Sequence, residues 1–114
     1  MRASLTVLCC LITTACAARQ DNPEAVRRGK ELAITWCSEC HRVAPDQPTG
    51  ARPGHIMPPP MNAPSFMSVA ARPDVDRRHL KAFASDLHLP MPIYHLTSEQ
   101  QDDLITYILS LKER

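Results

Sequence analysis

The chain has 114 residues, enough for one compact domain, and with two tyrosines, two phenylalanines and one tryptophan its side chains alone make a thin core. Thirteen basic and twelve acidic residues are mixed along it and sum to +1, which argues against a basic face built for nucleic acid. Every apolar run falls short of the roughly 18 to 20 residues that span a bilayer, and chains of this size commonly draw added stability from disulfides, a metal or a bound cofactor.

Residues 1–17 read as an export signal, with one early positive charge at Arg2, an apolar stretch over 5–12 and the small-residue ending Ala15-Cys16-Ala17. We therefore expect a signal peptide over 1–17, a single domain over 18–114 and a periplasmic destination. A lipoprotein signal is the rival, because Ala15 precedes Cys16, and an acylated Cys16 would tether the domain to the membrane. Thr13 stands where a branched apolar residue is usual in such signals, which favours ordinary cleavage. Cys9, Cys10 and Cys16 fall in or beside the removed segment, so Cys37 and Cys40 are the two cysteines expected in the mature chain. Export places them in an oxidising compartment, and loss of Arg2 leaves a formal net charge of zero.

The first helix is predicted from Pro23 to about Trp36. Asn22 is placed to cap it, Pro23 occupies its first turn and Glu24 complements its dipole. Val26, Leu32, Ala33 and Trp36 form its apolar stripe. Gly29 costs about 1 kcal/mol relative to alanine inside a helix, so another backbone or ring is expected to pack closely there, with the last helix as its neighbour.

At the end of this helix stands Cys37-Ser38-Glu39-Cys40-His41, a C-x-x-C-H motif. Two thiols one helical turn apart can each add to one vinyl group of a haem, and the adjoining histidine then supplies an imidazole to the iron. Three other readings compete. A thioredoxin-like dithiol needs a βαβ setting, and no strand-period segment is present. Zinc needs a second ligand pair, and His55 and His79 lack paired spacing. A Cys37–Cys40 disulfide would close a very short loop and leave His41 without a role.

Residues 42–64 are rich in proline, including Pro58-Pro59-Pro60, and read as an extended loop that wraps a cofactor edge or, failing that, as a solvated linker. A short helix is predicted over 65–71, and a further one capped by Asp76 and running to about Leu87 with Leu80, Phe83, Ala84 and Leu87 on one face. Residues 87–96 form a second loop in which Pro90 and Pro92 flank Met91. A thioether held between two prolines is presented stiffly, as suits a soft iron ligand, but Met57, Met61, Met67, His88 and His95 compete on these grounds. Thr97 opens the final helix with Gln100 as its capping-box partner, and Leu104, Tyr107, Ile108 and Leu111 form its buried face.

From about Glu24 to Leu111 the sequence resembles the bacterial class I monohaem cytochromes c: helix, CSECH, proline-rich loop, the segment Ala63-Pro64-Ser65-Phe66, a middle helix, a methionine loop and a C-terminal helix bearing an aromatic residue. The resemblance implies an all-α fold of about four helices and long loops wrapped around one covalent haem c. It implies thioethers at Cys37 and Cys40, His41 as the proximal iron ligand and Met91 as the distal one. It also implies a contact of Gly29 with Tyr107 where the first and last helices cross. Trp36, Phe66 and Leu104 are expected to line the haem, and Arg42 either pairs with a propionate or is solvated. The bulky Ile93-Tyr94-His95 after Met91 departs from the tightest form of the pattern.

The resulting expectation is a periplasmic electron-transfer protein, not an enzyme, that meets redox protein partners such as a dehydrogenase, a cytochrome complex or an oxidase through a small, transient surface. The alternatives are a haem subunit docked permanently to a dehydrogenase or oxidase, and an open-site haem enzyme or gas sensor using His88 or His95. No nucleic acid is expected, and a membrane tether only if Cys16 carries lipid.

Overall fold

The computed structural model describes residues 22–47, 63–86, 91 and 95–113. The expected signal peptide, most of the proline-rich loop and the residues on either side of Met91 lie outside the described residues.

Helix α1 spans Pro23–Leu32 and starts as its sequence dictates, with the Asn22 side chain accepting from the Glu24 amide at 3.0 Å and proline in the first turn. The α-helix stops earlier than predicted. It passes into a π-helical turn over Ala33–Cys37, which rotates the following residues away from the stripe that α-helical spacing projects. Ala33 and Cys37 are buried on this turn, whereas Trp36, expected on the buried stripe, is 48% exposed.

Helix α2, Phe66–Ala70, is capped by Ser65, whose hydroxyl accepts from the Ser68 amide. Helix α3, Arg77–Ser85, is capped by Asp76 through the His79 amide and ends two residues before the predicted Leu87. Of the described residues of its expected stripe only Leu80 is buried, and Phe83 is 42% exposed, while Leu87 lies outside the described residues. Helix α4, Ser98–Ser110, opens with the full capping box: Thr97 accepts from the Gln100 amide and the Gln100 side chain accepts from the Thr97 amide. A 3₁₀ turn, Leu111–Glu113, finishes it. All described elements are helical, in agreement with the all-α expectation.

The principal packing is α1 against α4, and α2 and α3 also pack on α4. Gly29 lies where α1 and α4 cross, against the backbone of Asp103 and the base of Tyr107, as the sequence suggests. The crossing is fastened by Arg28, whose Nε and a terminal nitrogen donate to the two oxygens of the buried Asp103 carboxylate at 2.7 and 2.9 Å. One continuous core joins Ala33 and Cys37 to Val43, Phe66, Val75, Leu80 and the Ile105, Tyr107, Ile108 and Leu111 face of α4. The Cys37 thiol is therefore part of the core, so the motif is built into the helix packing.

Candidate haem attachment site

The cysteines and His41 are brought together by one turn. The Cys37 carbonyl accepts from the amides of Cys40 and His41 at 3.1 and 2.9 Å, which coils the five residues so that both thiols and the imidazole belong to the same local structure. Upstream, the Ser38 hydroxyl donates to the Ile34 carbonyl at 2.6 Å and extends the helix into the motif. Cys37 is buried and Cys40 exposed, and both are thiols. Burial, and secondarily the neighbouring Cys40, pushes the Cys37 thiol up to about 11. At neutral pH Cys37 is thus protonated, the opposite of the activated thiolate that a thioredoxin-like nucleophile requires.

His41 is oriented through Nδ1, which lies 2.7 Å from the Pro64 carbonyl. A carbonyl can only accept, so Nδ1 carries the hydrogen and Nε2 keeps the lone pair a metal needs. The His41 and Phe66 rings are tilted by 51° with centroids 5.4 Å apart, so Phe66 packs beside the imidazole. The backbone that follows is also tied down: the Phe66 amide donates to the Arg42 carbonyl at 3.0 Å, and the buried Tyr107 hydroxyl donates to the Val43 carbonyl at 2.7 Å. Arg42 turns back on its own loop, donating to the carbonyls of Gln47 and Pro45 at 3.0 and 2.6 Å. A carbonyl-lined turn thus lies within reach of its guanidinium.

Met91 is 37% exposed. Met67 is partly buried against the core, and His79 and His95 are exposed. Met57, Met61, His55 and His88 lie outside the described residues. Among the described residues no group of three or more His, Cys, Asp or Glu side chains is arranged to hold a metal ion. A groove of about 1040 Å³ runs beside α1 and the end of α4, but Cys37, Cys40, His41 and Met91 take no part in lining it.

The donor set fits a covalently held haem. Two thiols and an imidazole sit on one turn, and the imidazole presents one ring nitrogen. A family model described as Cytochrome c matches residues 26–112, a span containing all of these groups. The chain belongs to the cytochrome c family. A curated cytochrome c-552 of Bradyrhizobium diazoefficiens strain USDA 110 is 31% identical over 112 residues, which covers 98% of this chain and 99% of that relative. No solved structure matches the chain. Cytochromes of this family bind haem c covalently, with its iron, and their role is haem-based electron transfer with redox partners.

Two relationships escape sequence reasoning. The fork from Arg28 to Asp103 joins residues 75 apart, and the bond from Tyr107 to Val43 joins residues 64 apart. A tyrosine on the buried face of α4 signals that its hydroxyl needs a partner, but not which one.

Proposed function

We propose that this cytochrome is an exported, periplasmic carrier of single electrons, with haem c joined to Cys37 and Cys40 and its iron held between His41 and Met91. The bound haem supplies an iron that alternates between Fe(III) and Fe(II). The residues of the chain do the rest: Cys37 and Cys40 fix the macrocycle, His41 presents Nε2, and Met91 offers a soft sulfur that favours the reduced state. With both axial positions taken by the protein, a substrate would have no place at the metal. The carrier reading is accordingly preferred to an enzyme or gas sensor.

The observation that carries this reading is the His41 geometry, in which a 2.7 Å hydrogen bond from Nδ1 to the Pro64 carbonyl leaves Nε2 available on the turn that also holds both thiols. Export is supported by the signal-like pattern of residues 1–17, and Met91 by its place between two prolines ahead of α4. No helix among the described residues is long and apolar enough to cross a membrane.

The test is an optical spectrum of the mature protein produced with a haem-attachment system, recorded oxidised and reduced, beside a denaturing gel stained for haem. Covalent haem with a low-spin reduced spectrum unchanged by carbon monoxide is expected. Rapid carbon monoxide binding would overturn the closed site, and a haem-free protein would overturn the whole reading.

A further inference from the structure

The three residues that begin with the proposed iron ligand are tied to two parts of the fold, the start of α2 and the buried face of α4. His41 donates from Nδ1 to the Pro64 carbonyl ahead of α2, the Arg42 carbonyl accepts from the Phe66 amide at the start of α2, and the Val43 carbonyl accepts from the Tyr107 hydroxyl on α4. Tyr107 also packs against Gly29, where a side chain carbon would lie 2.7 Å from its Cβ. Its ring is therefore fixed at the base by the α1–α4 crossing and at the tip by the ligand loop. Tyr107 is 3% and Val43 1% exposed, so water cannot readily replace the hydroxyl as donor to that carbonyl.

On the reading that His41 binds the haem iron, we infer that Tyr107 is a positioning residue for that ligand, with its hydroxyl setting the strength of the His41–Pro64 hydrogen bond by holding the loop at Val43. Groups that hydrogen-bond to a ligating histidine orient its ring and raise its basicity. If the loop is released at Val43, the contact from Nδ1 to Pro64 loosens, the imidazole becomes a poorer donor and the ferric state loses more stabilisation than the ferrous state. The potential then rises. A residue that served only to hold the helices together would change stability and leave the imidazole as it was.

The experiment compares the haem-loaded protein with two variants: Tyr107→Phe, which keeps the ring and removes the hydroxyl, and 3-fluorotyrosine incorporated into a Tyr94→Phe background. The second keeps a similar shape at residue 107 while making the hydroxyl a stronger donor. Midpoint potential and the hyperfine-shifted ring resonances of His41 in the ferric state are read together with the melting temperature. Thr106→Val is the control, because it removes a buried hydroxyl on the neighbouring α4 residue that joins Arg77 at 2.8 Å and does not touch the ligand loop.

Tyr107→Phe should raise the potential and move the His41 resonances, the fluorinated protein should lower the potential or shift the resonances in the opposite direction, and Thr106→Val should lower the melting temperature alone. If Tyr107→Phe does not fold, the fluorinated protein decides by itself. Unchanged potential and resonances in the variants that fold would overturn the inference while leaving the haem assignment standing. A parent protein without covalent haem would end both, and that is known before any variant is made.

Discussion

The backbone of Gly29 lies against that of Asp103 so closely that a Cβ on Gly29 would sit 2.1 Å from the Asp103 carbonyl oxygen. No real carbon approaches at that distance, and the obstacle is backbone, which cannot swing aside as a side chain can. Gly29→Ala gains about 1 kcal/mol of helix propensity but must push the two helices apart. The net expectation is a loss of about 2 to 3 kcal/mol, read by chemical denaturation of the haem-loaded protein. An alanine variant as stable as the parent would show that the helices cross elsewhere.

The same crossing separates two kinds of ion pair. Arg28→Met strands the buried Asp103 carboxylate and should lower the melting temperature clearly, in low and high salt alike. Arg27→Met removes pairs to Glu24 and Glu31 whose side chains are more than half exposed, and its effect should be slight and vanish in high salt. The hydrogen bond and charge of Arg27 hold the Glu24 carboxyl below its ordinary value of 4.5. A depressed carboxyl contributes stability above that value and loses it as pH falls through the lowered one. The small gap between parent and Arg27→Met should therefore close on acidification below about pH 4.

At the haem, Met91→Ala should leave the covalent attachment intact, abolish the methionine-to-iron charge-transfer band at the red end of the ferric spectrum, admit carbon monoxide and lower the potential. Persistence of that band would move the distal ligand to another residue.

For the attachment itself, Cys37→Ala and Cys40→Ala should each retain one thioether, still stain for haem on a denaturing gel and shift the reduced absorption maximum, whereas the double substitution should lose the stain altogether. Staining of the double variant would place the attachment elsewhere in the chain.

Thr97→Ala tests a purely local element. It removes the hydroxyl that accepts from Gln100 and breaks the capping box, at a cost of about 1 kcal/mol in unfolding free energy. No change in midpoint potential should accompany it.

What was legible in the sequence was what neighbouring residues decide together. Asn22, Asp76 and Thr97 cap their helices because each needs only an amide two or three positions on, and CSECH carries its thiols and imidazole on five consecutive residues. Gly29 was readable because an unfavourable residue mid-helix implies a close neighbour. The exposure of Trp36 and Phe83 does not show in the sequence, for two reasons. No composition distinguishes a π turn from an α turn, and an i, i+3 stripe on α3 shows a face without showing how far along it α4 extends. The bonds of Arg42 do not show in the sequence because its acceptors, the Pro45 and Gln47 carbonyls, belong to every residue alike.

The π turn over Ala33–Cys37 also separates two alignments that a continuous α-helix would lock together. Upstream, the angle of α1 is set by Gly29 on Asp103; downstream, the azimuth of Cys37, Cys40 and His41 is set by the turn closed on the Cys37 carbonyl. A wider turn accommodates one residue more than an α turn, so it acts as a phase adjuster between the helix crossing and the prosthetic group. Removing a single residue from it would restore α-helical register and leave the azimuth of the motif nearly unchanged, whereas the same residues wound as an uninterrupted α-helix would turn the motif by about 100° about the axis of α1.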